Sequence, residues 1–209
     1  MDSERQADST TFSQELAALK RRGSTVLVVG QVGDETALRA CRRLLGERGP
    51  PARRRVIAAT DAEAALDRRL PPDHDPARVT VVDSAVRTRS ARTAPDRPDH
   101  GAVERAILDG VVEQATGDLE PAELRVCLDS LQPLLAADEC RARTLLDRIA
   151  DAVLDHRAIG HVHLPLPYDH RAVSLLATQV DAVIELREGD RPEQRWHLPD
   201  GTETDWLPL

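Results

Sequence analysis

Short, uninterrupted apolar runs of strand length constrain this chain more than any other feature. The first is Thr25-Val-Leu-Val-Val-Gly30, and the same signal returns at 55–59, 79–83, 124–129, 161–164 and 182–186. A strand with one wet face alternates apolar and polar residues, whereas a run apolar throughout is buried on both faces, as in a parallel sheet. Between the runs, apolar residues recur at helical spacing over 35–45, 62–70, 100–115, 138–156 and 169–178. Strand and helix in alternation predict an α/β fold with a mostly parallel sheet flanked by helices. The segments 194–198 and 204–207, joined across Asp200-Gly201, read as a C-terminal β-hairpin.

The expected organisation is a disordered polar arm at 1–10 and a single domain over 11–209. That domain opens with a short amphipathic helix bearing Phe12, Leu16 and Leu19 and ending at Gly23. The segment 87–98, rich in Arg, Thr, Ala and Pro and without periodicity, reads as a mobile loop. No run approaches the roughly 18 to 20 apolar residues of a membrane helix, and the start of the chain has no apolar signal segment. A cytoplasmic protein without membrane contact is expected.

The charge balance narrows the partners. Of 209 residues 28 are basic and 36 acidic, for a net charge of −8, and Lys20 is the sole lysine. Such an acidic, lysine-poor composition is of the halophile type. Phosphate binding needs a net basic face, so nucleic acid is disfavoured. One Phe, one Tyr and two Trp also leave no platform for stacking bases. Cys41, Cys127 and Cys140 are odd in number and lack CxxC spacing, which reads as buried reduced thiols.

Strand, glycine loop and helix together make the arrangement that cradles phosphates, because backbone N–H groups at a helix start point at the anion. Here the loop is Gly30-Gln31-Val32-Gly33-Asp34-Glu35-Thr36-Ala37. A working loop reads GxxxxGK[ST]. Read without gaps from Gly30, the second glycine is replaced by Glu35, the lysine by Thr36 and the Ser/Thr by Ala37. No register restores the lysine, because Lys20 lies upstream of the strand. At about 6 Å and an effective dielectric near 20, Asp34 and Glu35 would each repel a phosphate charge by roughly 3 kcal/mol. The same acids stabilise a helix start as cap and dipole partners. The loop therefore reads as a phosphate site filled by its own carboxylates.

Several segments together resemble the RecA/KaiC-type ATPases. Leu124-Arg-Val-Cys-Leu-Asp129-Ser130-Leu131 resembles their Walker B strand, which ends in Asp-Ser-Leu. Arg22-Gly23-Ser24 followed by the first strand resembles the approach to their P-loop, and Gln179-Val-Asp181-Ala-Val-Ile-Glu-Leu186 resembles a late strand of KaiC-like proteins. Combined with the composition, the chain resembles haloarchaeal RecA/KaiC-like proteins with a degenerate Walker A loop. The resemblance implies a RecA-like sheet with a C-terminal hairpin, and a Walker B role for Asp129, which in that superfamily orients Mg²⁺ through water. With Ala37 at the metal-binding position, Asp129 is alternatively a cap of the following turn. Asp61 and Glu63 fall in the region of the family's catalytic glutamate and fit equally as first-turn helix acids. The resemblance implies a non-catalytic regulatory or signalling scaffold, with a protein partner or a second copy, no catalytic residue and no cofactor. Its alternative is a divergent ATPase, binding ATP and Mg²⁺, that uses Arg39, Arg42 or Arg43 in place of lysine.

Other groupings read as structural. Asp34, Glu35 and Asp83 mimic the acids of a phosphoacceptor receiver domain, but that domain's lysine is missing. His161 and His163 share one strand face, with His156 and His170 close in sequence. A two-histidine face could begin a zinc or iron site, but no cysteine or carboxylate stands at ligand spacing within the strand, so the histidines read as structural and no metal site is assigned. Ser84 and Ser130 lie outside any G-x-S-x-G elbow. The arginines at 53–55 and 87–92 read as solvated faces, and Trp196 and Trp206 as hairpin residues packed on the sheet edge.

Overall fold

The computed structural model describes residues 2–46, 52–60, 66–72, 74–83 and 100–209, with backbone alone over 2–11. Helix α1 (Asp2–Arg22) leads into β1 (Ser24–Val29) through Gly23, and α2 (Asp34–Leu45) follows the glycine loop. Next come β2 (Arg54–Ala59), the short α3 (Leu66–Arg69), a single 3₁₀ turn (Pro76–Arg78) and β3 (Val79–Asp83). Then follow α4 (His100–Gln114), β4 (Leu124–Asp129), α5 (Gln132–Ala137), α6 (Glu139–Asp155) and β5 (Ile159–Leu164). The chain closes with α7 (Arg171–Ala177), β6 (Ala182–Arg187), β7 (Glu193–His197) and β8 (Leu207–Pro208).

The strands form one eight-stranded sheet in the order β3-β2-β4-β5-β1-β6-β7-β8. The first six are parallel, and β7 and β8 are added antiparallel. This is the α/β architecture that the apolar runs predict. The strands β1, β4 and β5 are buried along their whole lengths, which explains their lack of alternation. Two features differ from the sequence expectation. Helix α1 runs back to Asp2, through the segment expected to be a disordered arm. The C-terminal hairpin is looser than a two-residue turn, with a bridge between His197 and Glu203 and only two residues in β8. The 87–98 segment lies outside the described residues.

Alternation along the strands divides the core. One face carries Leu27, Val29, Val56, Ala58, Leu128 and Val162 against α4, α6 and α7. The opposite face presents Val26 and Val28 toward α1, and Ile57 and Cys127 toward α2. In register across this second face stand the pair Arg55 and Arg125, then Ile57, Cys127 and His161, then Ala59, Asp129 and His163.

The arginine pair corrects the reading of 53–55 as a solvated face. Arg55 is 5 % and Arg125 8 % exposed. Arg55 donates from Nε to Leu45 O (3.2 Å) and from Nη2 to Gly46 O (2.8 Å), and Arg125 donates from Nη1 to Leu44 O (3.2 Å). Two cations thus serve the orphan carbonyls at the end of α2, where the helix dipole favours positive charge. Burial, followed by the charges of Arg53 and Arg55, lowers the Arg125 pKa to about 10.

Gly30 sits at φ 123°, and a Cβ there would collide with the carbonyl of Leu186 on β6. Gly117 also has positive φ (80°), but open space surrounds it. Ala at Gly117 is expected to cost about 1–2 kcal/mol from backbone conformation alone, and Ala at Gly30 about 3–5 kcal/mol because the clash adds to it. Urea titrations of both variants measure this, and equal midpoint shifts would contradict the packing described.

Candidate functional site

In α/β sheets of this kind ligands bind beyond the carboxyl ends of the strands. There β1 delivers Gly30, whose N–H donates to Leu166 O (2.8 Å). Helix α2 begins immediately after Gly33, its N-cap, which is extended (φ −69°, ψ 162°) and has no side-chain cap. Only Gln31 and Val32 separate the two glycines, where a P-loop places four residues. The Gly33 N–H donates to Glu188 Oε1 (2.7 Å), and the buried Thr36 hydroxyl donates to the same oxygen (3.2 Å). A carboxylate from just beyond β6, the strand beside β1, therefore occupies donors a phosphate would take.

This identifies a different acid from those the sequence singles out. Asp34 and Glu35 are first-turn residues, and the cap position belongs to Gly33. Glu35 turns outward to Arg68 (3.2 Å). The arginines considered as lysine substitutes also point elsewhere: Arg42 Nε donates to Arg68 O (2.7 Å) and Arg43 Nη1 to Pro208 O (3.2 Å). Arg39 is exposed. Glu188 was not legible as a site residue, because 155 residues separate it from Gly33 and only the β1–β6 pairing brings the two together.

Asp129 ends β4 and is 8 % exposed. Its Oδ2 forms an ion pair with Arg69 Nη2 from α3, and both side chains are 12 % exposed. Burial opposes the Arg69 charge, yet Asp129 and the nearby cysteines outweigh it and raise the pKa. The Ser130 N–H donates to Thr60 Oγ1 (3.0 Å), and the Thr60 hydroxyl returns a bond to Ser130 O, tying the ends of β4 and β2 together. Asp61, Glu63 and Ser84 lie outside the described residues. The receiver-like trio does not assemble, because β2, β4 and β5 separate β3, with Asp83, from β1. At about 4.8 Å per strand that is roughly 19 Å.

A second grouping lies beneath α2. Cys41 Sγ stands 3.6 Å from Cys127 Sγ and 3.5 Å from His161 Nε2. With His163, one ligand-capable atom from each of the four lies within 4.8 Å of the others. Cys41, Cys127 and His161 are fully buried and His163 is 5 % exposed. The hydrogen bond with Cys127 outweighs burial and, with His161 adding to it, holds the Cys41 thiol well below the usual range. Burial pushes the Cys127 thiol up, and burial lowers the pKa of His161. Cys140 corrects the expectation of three buried thiols: it is exposed on α6. His156 and His170 stand apart from the cluster, His156 capping the end of α6 and His170 accepting from Ala172 N–H (3.1 Å) at the start of α7.

The hairpin tryptophans have partners within the chain. Trp196 meets Phe12 of α1 edge-on at 5.9 Å. The Arg187 and Arg195 guanidiniums lie 4.0 and 4.5 Å from the Trp206 ring centroid.

Sheet order, glycine loop and the Asp-Ser end of β4 place the chain in the RecA/KaiC-like fold class. The crystal structure of KaiC-like protein PH0186 from the hyperthermophilic archaeon Pyrococcus horikoshii OT3 is similar, with a TM-score of 0.56 at 17% identity over 90% of this chain and 84% of that one. By sequence the chain belongs to the family of unknown function DUF7504, which it matches over residues 23–186. No curated protein matches it. No described helix is long and apolar enough to cross a membrane.

At the carboxyl ends of β1 and β4 the charged groups are arranged as follows. The loop offers no ammonium, Glu188 holds two of its donors, and the acid that ends β4 is held by Arg69.

Replacing one member of a buried ion pair strands the other. Arg69→Ala is expected to cost about 3–5 kcal/mol, and Arg69→Met with Asp129→Leu to recover most of it. Guanidinium denaturation of the single and double variants measures both, and a single variant as stable as the natural chain would count against a buried pair.

Proposed function

We propose that this chain is a non-catalytic RecA/KaiC-like protein, a regulatory or signalling scaffold that has lost the P-loop lysine and binds no nucleotide cofactor. The observation that carries the reading is the absence of lysine from the glycine loop, to which the Glu188 carboxylate on the Gly33 N–H and the Thr36 hydroxyl adds. A triphosphate must displace that carboxylate and then face Asp34 and Glu35 without a lysine. Glu188 is exposed, so each of its hydrogen bonds is worth no more than about 0.5–1.5 kcal/mol. The missing cation therefore matters more than the carboxylate in the cradle. The acidic, lysine-poor composition supports a haloarchaeal, high-salt setting in which a cytoplasmic chain meets a protein partner or a second copy, not nucleic acid.

Titration calorimetry with Mg-ATP in molar KCl is expected to give no saturable heat for the natural chain or for Glu188→Gln. Saturable binding that disappears on Arg39→Ala or Arg42→Ala would instead establish the divergent ATPase, with arginine standing in for lysine. Sedimentation tests the choice of partner: a mass of 23.0 kDa at every concentration eliminates the second copy and leaves a different protein.

A further inference from the structure

We propose that Cys41, Cys127, His161 and His163 form a closed, four-coordinate zinc site that fastens α2 to β4 and β5. A tetrahedron with Zn–S bonds near 2.3 Å and Zn–N bonds of about 2.0–2.1 Å has S···S edges of about 3.8 Å and S···N edges of about 3.5 Å. The observed Sγ···Sγ and Sγ···Nε2 separations are 3.6 and 3.5 Å. No pair among the four ligand atoms is farther apart than 4.8 Å, so the widest edge, which involves a histidine nitrogen, closes by at most about 1.5 Å, within reach of imidazole rotation. Two thiolates and two imidazoles in this geometry select zinc among the common divalent ions. A two-iron cluster would hold its ligands as two separated pairs, whereas these converge on one point.

The bonding around the cluster supports an absent partner. His163 Nε2 is buried without a hydrogen-bond partner, in a side chain more than nine-tenths buried. Leaving such a buried atom unpaired is costly, and an ion at the centre of the cluster would meet it. The charges balance: on binding, two protons leave the thiols, and Zn²⁺ with two thiolates is neutral beside the equally neutral Arg69–Asp129 pair. All four positions are filled by protein, which makes the site structural and leaves no place for a substrate. The inference is therefore independent of whether nucleotide binds.

Mass spectrometry of the full chain, purified without chelator from zinc-supplemented medium, tests this. About one zinc per chain is expected, lost in Cys127→Ser and retained in Cys140→Ser, whose thiol is exposed. If Cys127→Ser fails to fold, the natural chain still decides the matter. Exchange with Co²⁺ is expected to give the visible bands of a tetrahedral ion with a thiolate charge-transfer band, and stripping the metal to lower the melting temperature. A metal-free chain that stays so after incubation with zinc overturns the proposal. So does a Cys41–Cys127 disulfide in the freshly purified protein, stoichiometric iron in place of zinc, or zinc that persists in Cys127→Ser.

Discussion

One helix, fixed at both ends, organises the functional face of this protein. At its start, the cap N–H of Gly33 and the Thr36 hydroxyl donate to Glu188, just beyond the neighbouring strand. At its end, Arg55 and Arg125 fill three carbonyls that would otherwise face a buried sheet. Placing two arginines side by side is costly, and it is tolerated because each meets the negative end of a helix instead of another cation. Between these anchors, Cys41 descends onto Cys127 and His161. The orientation of the glycine loop, the depth of the cysteine–histidine cluster and the seating of α3 through Arg69 all follow from where that helix lies.

The carboxyl ends of β1 and β4 carry charges that are paired within the chain. Where a phosphate would bring negative charge, Glu188 supplies it from within the chain. The acid that ends β4 faces a guanidinium. These donors and this acid thereby find partners inside the chain.

The sheet was legible in the sequence because parallel strands buried on both faces leave continuous apolar runs, and α4 and α6 because their apolar stripes are long. The short α5 was not, since six residues carry too little periodicity. That Lys20 is the sole lysine was legible from composition alone. Glu188, Arg69 and the partners of His161 were not, because each contact joins positions far apart in the chain. The alternating pair His161 and His163 was the sole local signal of the cluster. Its cysteines arrive from α2 and from the neighbouring strand, where Cys127 stands in register with His161.

The two margins of the sheet differ in their capacity to recruit another chain. At one, β8 is two residues long and ends in Pro208, which lacks an N–H, so it is a poor template for strand addition and guards against fibrous association. At the other, β3 is five residues long and Val81 is 47% exposed. Among the described strands, the β8 margin is therefore the poorer template for pairing by backbone hydrogen bonds.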